Sequence, residues 1–388
     1  MSRREQVFHG WGEPGAGPAL PGHAAGFLRS ELGVDGSVVA PPPALEDVVV
    51  PESALDAGAR EKLAAIVGEE HVRADREARV LRAAGKSYLD LLAQRSGSLP
   101  GAPDAVVAPG SAAEAGAVVR ACGEAGVAVV PFGGGTSVVG GLAPERGGHR
   151  AVISLDLGRL DRVLEVDERS RTARFEPGIR LPEADHVLAA RGLTIGHHPQ
   201  SYEWATVGGC VATRSSGQAS TGFGRIDEHV LALRCETPLG EISTLPVPAT
   251  AAGPALRELL VGSEGTLGVI TEVTLTVRPV ARARRYEAWF FRSFGEGADA
   301  LRTLVQADVA PDVARLSDEA ETRMSLALAG TDGLKARVGG AVLRARGYAE
   351  GCLMIVGWEG EPEDVARRRS PAVRRLEAAG GFAAGRGP

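Results

Sequence analysis

Pro131-Phe132-Gly133-Gly134-Gly135-Thr136-Ser137 follows directly on the apolar run Val127–Val130. Three successive glycines remove Cβ atoms and permit positive φ, so consecutive backbone N–H groups can converge on an anion. Thr136 and Ser137 add hydroxyl donors. The ligand this pattern predicts is a phosphate or pyrophosphate. No GKS or GKT closes the loop, which excludes a Walker loop. No G-x-G-x-x-G opens a helix here, which excludes the Rossmann turn. A plain glycine turn accounts for the same residues taken alone, so the reading depends on what surrounds them.

On the N-terminal side, Ala105–Ala108 is a short apolar strand ending at Pro109-Gly110. Ser111 then opens a helix, and Glu114 three residues on gives a capping-box spacing. Val118, Val119 and Cys122 form its buried stripe, and Gly126 ends it. With Val127–Val130 this makes a βαβ unit. Two further helices are predicted upstream, over Ser53–Val67 and Asp75–Gln94, with Gly85 weakening the second as an unbroken helix. Residues 1 to about 50 are rich in Gly, Pro and Ala and read as an extended arm or a disordered tail. Trp11 and Phe27-Leu28 suggest that part of this arm packs on something.

On the C-terminal side, short strands are expected at Ala151–Leu155, Val163–Asp167 and Thr172–Glu176. A helix follows at Leu181–Arg191. Val230–Thr237 and Glu241–Leu245 read as a hairpin around Pro238-Leu239-Gly240. Thr271–Val277 alternates cleanly, as a half-buried strand does. After Pro279 the expected order is strand Arg284–Phe291, helix Phe294–Gln306, strand Val313–Leu316 and helices Ala320–Ala329 and Lys335–Arg344. Strand Cys352–Trp358 and helix Pro362–Ala379 complete it. No strand is expected after that last helix, so residues 281–388 read as an incomplete domain with an exposed apolar edge. The chain divides on this reading into 1–100, 101–280 and 281–388.

Composition narrows the function classes. The chain has 388 residues, 44 % hydrophobic and 24 % charged, with a formal net charge of −6. That balance, without a basic run, gives no footprint for nucleic acid. Only three of the 43 basic residues are lysine (Lys62, Lys86, Lys335), a bias better ascribed to a GC-rich coding sequence than to function. Cys122, Cys210, Cys235 and Cys352 stand far apart, against structural zinc or a disulfide framework. No apolar run has the length of a membrane span, and the N-terminus lacks a signal-peptide h-region. The expected address is the cytoplasm.

Two more clusters accompany the glycine loop. Gly196-His197-His198-Pro199-Gln200-Ser201-Tyr202-Glu203-Trp204-Ala205-Thr206-Val207-Gly208-Gly209 brings a polar segment to a glycine pair, suited to backbone lying against a flat ring. Thr213-Arg214-Ser215-Ser216-Gly217 follows, in which Arg214 either neutralises a phosphate or is a loop arginine. Gly262-Ser263-Glu264-Gly265-Thr266-Leu267-Gly268-Val269-Ile270 either leaves room for a ligand or is a tight turn feeding the next strand.

Together, in this order, the motifs resemble the FAD-binding domain of the p-cresol methylhydroxylase and vanillyl-alcohol oxidase superfamily. Within it they most resemble the alkyldihydroxyacetonephosphate synthase family. The matching stretches are Pro131–Ser137, Gly196–Gly209, Arg214–Gly217 and Glu264–Ile270. The resemblance implies an α+β fold: two α+β subdomains clasping FAD, then an incomplete ferredoxin-like α+β cap. It implies FAD held noncovalently, with Pro131, Phe132, Gly133, Gly134, Gly135, Thr136 and Ser137 at the pyrophosphate. It implies that Gln200, Ser201, Tyr202, Glu203, Trp204, Ala205, Thr206, Arg214, Ser215, Ser216 and Gly217 line the flavin and ribityl chain. Glu264, Gly265, Thr266, Leu267, Gly268, Val269 and Ile270 join them.

The family exchanges the acyl group of acyl-dihydroxyacetonephosphate for a fatty alcohol, giving an ether lipid, with the flavin as an electron sink. A lipid substrate, membrane-surface contact and a homodimer are the partners it brings into view. Gln200 stands where the family motif carries an acid. The family's substrate-phosphate arginine, catalytic tyrosine and late histidine cluster have no counterpart before residue 388, so the catalytic residues stay unassigned. His197 and His198 read as hydrogen-bonding residues rather than a covalent tether. Arg315 and Asp318 match a short cap motif, facing substrate or forming a surface ion pair. The competing functions are a flavin oxidase or dehydrogenase of a 2-hydroxy acid or alcohol, and a non-catalytic FAD-binding remnant.

Overall fold

The computed structural model describes residues 5–15, 22, 24–33, 41–99, 101–247, 251–329 and 334–386. Two compact units emerge: residues 1–17, 41–217 and 225–279 form the first, and 18–40, 218–224 and 280–388 the second. Residues 1–100 are therefore not a division of their own. The helix Ala24–Leu32 belongs to the second unit, where it packs on Glu319–Ala329, while 41–99 packs into the first.

Among the described residues the first unit holds two large sheets and a two-stranded ribbon of Leu193–Thr194 with Arg278–Pro279. In one, Ala151–Asp156 lies parallel to Ala105–Val107 on one side and Val127–Phe132 on the other, and Val72–Arg73 adds an antiparallel edge. The expected βαβ unit thus forms with its two strands separated by Ala151–Asp156. Ile153 and Leu155 are fully buried there and pack with Leu63, Val118 and Val119. Burying one such side chain contributes about 1.5–3 kcal/mol. The connecting helix is Ala112–Ala125. The Ser111 side chain accepts from the Glu114 N–H, and Gly126 closes the helix in the left-handed region. Glu114 accepts from Gly110 N–H at 2.7 Å, one residue outside the expected box.

The second sheet is antiparallel, in the order Val163–Asp167, Thr172–Phe175, Val269–Thr276, Val230–Thr237, Gly240–Ser243. The alternation at 271–277 appears as expected, with Val273 and Leu275 fully buried. Helix Ala112–Ala125 packs against Val127–Phe132 in the first sheet and against Val230–Thr237 and Val269–Thr276 in the second.

Asp75–Gln94 is two helices, Arg76–Leu81 and Tyr88–Ser96. The break has a tertiary cause. Lys86 N–H donates to the Ser137 carbonyl at 2.7 Å, and a Cβ on Gly85 would land on that same carbonyl oxygen. The chain bends there to meet the end of the glycine loop.

The second unit corrects one expectation outright. A strand, Phe382–Arg386, does follow the last helix, Pro362–Ala378, and pairs antiparallel with Ala283–Phe291. The sheet runs Val313–Leu316, Cys352–Gly360, Ala283–Phe291, Phe382–Arg386. In chain order this is second, third, first, fourth, the ferredoxin-like arrangement complete. Trp289, Phe291, Met354 and Trp358 are buried in its core. The edge predicted to be bare is paired. Within this unit Arg315 pairs with Glu321, and the Asp318 carboxylate accepts from Glu321 N–H at 2.7 Å, capping Glu319–Ala329. They do not pair with each other.

Candidate functional site

The glycine loop leaves the C-terminal end of Val127–Phe132 and borders a cavity of about 590 Å³ within the first unit. Its packing is tight. A Cβ on Gly134 would collide with the main-chain carbonyl oxygen of Trp204, so this position tolerates hydrogen alone. Of the three glycines only Gly135 takes a positive φ, 68°.

All of Pro131–Ser137 lines the cavity. The second cluster contributes Gln200, Ser201, Ala205, Thr206, Gly208 and Gly209, the segment after it Thr213 and Ser215, and the third Glu264, Gly265, Gly268 and Ile270. The motifs converge because their backbones are tied together. Arg180 bridges to Thr206 and lies 4.8 Å over the Trp204 ring. Leu181 N–H donates to the Ala205 carbonyl at 3.0 Å. Gly262 and Glu264 N–H groups donate to Val211 and Ala212, each at 3.0 Å, seating the third cluster on the second.

The remaining predicted residues stand outside the wall. The Tyr202 hydroxyl donates to Asp185 at 2.8 Å, holding the segment against helix Leu181–Ala189. Glu203 and Ser216 are exposed. Trp204 serves through its carbonyl and its stack under Arg180. A Cβ on Gly217 would lie 2.8 Å from the His198 nitrogen, so it packs on the His198 backbone. Thr266 donates back to the Ser263 carbonyl at 2.6 Å. Leu267 is exposed, and Val269 belongs to the core beside Ala112–Ala125.

Arg214 is the clearest correction. It adopts φ 49°, and its guanidinium donates to Val261 O at 3.0 Å, Asp227 Oδ2 at 3.0 Å and Glu258 O at 2.9 Å. These bonds fasten the 258–262 turn. Arg214 does not line the cavity.

His197 and His198 also stand behind the wall. His197 Nε2 is 3.0 Å from Ser215 Oγ, and burial lowers the imidazole pKa to about 4, with His229 and His198 adding to the effect. His198 packs on the Tyr202 ring at 5.0 Å. Cys210 does line the cavity, but burial pushes its thiol up to about 12. It is therefore not a nucleophile at neutral pH.

Several lining residues were not assigned to the site from sequence: Trp11, read there only as packing on something, Val138, Val139, Gly141 and Leu142 beyond the glycine loop, and Leu157, Pro177 and Ala212. Gly141 and Leu142 continue the same small-residue run, a signal the sequence did carry.

No lysine or arginine is found among the described lining residues, and Glu264 is the charged group there. Anion donors there are neutral: backbone N–H groups, the Gln200 amide, the Trp11 indole N–H and the hydroxyls of Thr136, Ser137, Ser201, Thr206, Thr213 and Ser215. Ser137 Oγ is buried and lacks a partner among the described residues. A buried orphan hydroxyl on a cavity wall costs about 1–3 kcal/mol and fits a site whose ligand completes its bonding.

Residues 103–246 match the family model described as "FAD binding domain", and 280–386 match "FAD linked oxidases, C-terminal domain". The alkyldihydroxyacetonephosphate synthase of Trypanosoma brucei brucei is 32 % identical over 99 % of this chain and 67 % of that protein. The chain belongs to the alkyldihydroxyacetonephosphate synthase family. The Dictyostelium discoideum alkyldihydroxyacetonephosphate synthase is also 32 % identical, over 94 % of this chain and 62 % of that protein. A solved alkyldihydroxyacetonephosphate synthase structure superposes with TM-score 0.89 at 28 % identity, covering 99 % of this chain and 74 % of the other. The chain thus spans about two thirds of the length of these curated relatives. Its cofactor is FAD, and the α+β architecture is that of the family.

Proposed function

We propose that this chain binds FAD noncovalently in the cavity beneath the glycine loop and takes part in the family's acyl-for-alkyl exchange on acyl-dihydroxyacetonephosphate. The observation that carries the reading is the convergence of all three motif clusters on one cavity lined by neutral donors and an unpartnered Ser137 hydroxyl. On this proposal the N–H groups and hydroxyls of Pro131–Ser137 hold the pyrophosphate. Gln200, Ser201, Thr206 and Ser215 orient the ring system, and Gly265 and Gly268 leave space for it. His197 stays neutral behind Ser215 and fixes the direction of its hydroxyl. When bound, the flavin supplies an electron sink.

Reconstitution with FAD followed by acid precipitation tests the noncovalent site. Colour in the supernatant supports it, and colour in the pellet overturns it. Incubation with acyl-dihydroxyacetonephosphate and a fatty alcohol tests the exchange through the alkyl product. The match of 280–386 to FAD linked oxidases favours a second reading, oxidation of a 2-hydroxy acid or alcohol. Anaerobic flavin bleaching by lactate without ether product would select it. A cytoplasmic address, homodimer formation and membrane-surface contact belong to the same proposal, to be read by cell fractionation, light scattering and vesicle sedimentation.

A further inference from the structure

The N-terminal segment 5–15 reaches the cavity, and its attachment converges on one side chain. Lys86 is 7 % exposed, and its ammonium donates to the carbonyls of Val7 at 2.8 Å and Phe8 at 2.9 Å. The main chain of the same residue takes the Ser137 carbonyl. Lys86 therefore joins the segment, by its side chain, to the end of the glycine loop, by its backbone. A second tie lies alongside: Gln6 Nε2 donates to the Gly134 carbonyl at 3.1 Å. Val7 N–H donates to Gly12 O at 2.9 Å, turning the segment back on itself. That turn places Trp11 on the cavity wall, with the residue still 46 % exposed. The space left between segment and loop is about 30 Å³, room for about one water. A lysine buried against carbonyls is expensive to desolvate, and nothing in the glycine loop itself requires it.

We propose that segment 5–15 is part of the FAD site, with Trp11 a wall against the bound cofactor and Lys86 the positioning residue that clips the segment onto the glycine loop. The inference rests on the FAD assignment above. An indole offers the cofactor's flat rings a large face at small entropic cost. Losing the clip leaves two carbonyls short of a donor and lets Trp11 leave.

The test measures FAD dissociation and tryptophan emission in the full chain. K86M is expected to speed FAD dissociation about tenfold, the size expected for unsatisfying buried carbonyls. K86Q, which keeps an N–H donor, is expected to recover part of that. W11F is expected to remove a share of the emission quenching that FAD causes in the wild type, and W11A to speed dissociation without touching the core. Dissociation within about twofold of wild type in K86M, in W11A and in a chain lacking residues 1–15 would overturn the proposal. If the chain takes up no FAD, the wall role falls with the FAD assignment. The clip is then decided by chymotrypsin cleavage after Phe8 in the FAD-free protein: faster cutting in K86M supports it and equal cutting refutes it.

Discussion

A methyl group at Gly134 would have to displace the Trp204 carbonyl, which is main chain and tied through Ala205 to Leu181. Gly134→Ala is therefore expected to abolish FAD retention on gel filtration while Gly148→Ala, open on all sides, retains it. His197 makes a pH prediction. Its folded pKa is lowered to about 4 by burial, so between that value and 6.5 the unfolded chain binds a proton the folded chain does not. Stability must then fall as pH drops through this window, by about 1.4 kcal/mol per pH unit at most. Urea midpoints at pH 7 and pH 5 should show a larger drop for wild type than for His197→Gln. Arg214→Ala should cost on the order of 1 kcal/mol of stability through lost, partly buried hydrogen bonds. Its FAD affinity should change only as far as the 258–262 turn loosens. Of the two readings of Arg214 the bonds it makes favour the loop arginine, and sequence could not choose because an arginine beside a glycine motif signals charge but not direction. Its partners Asp227 and Glu258 lie 13 and 44 residues away, which no local pattern reveals.

Elements with a regular period and their own punctuation were legible: Ala112–Ala125 between Ser111 and Gly126, or Val269–Thr276 with its alternation. Ser111→Ala should lower stability by about 1 kcal/mol, seen as a reduced thermal midpoint. Phe382–Arg386 escaped because two of its five residues are alanine and one is glycine, with Gly385 at φ 114°. Such a segment is a strand only because Ala283–Phe291 offers it an open ladder. Removing residues 382–388 should bare the edge at Trp289 and Phe290 and strip Tyr348 of its stack on Phe382 at 5.6 Å. The expected result is a loss on the order of 2 kcal/mol and concentration-dependent light scattering. The bend at Ala83–Lys86 was signalled by Gly85 but its cause was hidden, since that is the Ser137 carbonyl, a long-range partner.

At the scale of the molecule, the three motif clusters announced one site before any fold was known, because ligand-hugging loops need small residues and hydroxyls whatever scaffold carries them. What the sequence withheld was the contribution of distant chain, Trp11 above all, and the division of labour between wall and scaffold inside each motif. The absence of lysine and arginine among the described lining residues also bears on the empty protein. A cradle of arginines repels itself until its anion arrives, and must be assembled by the ligand. Amide and hydroxyl donors carry no such repulsion, so the glycine loop can stand fully formed beforehand and little order remains to be imposed on association. Uptake of FAD should accordingly be almost indifferent to ionic strength between about 0.05 and 0.5 M, where a site built on exposed cations would weaken steadily.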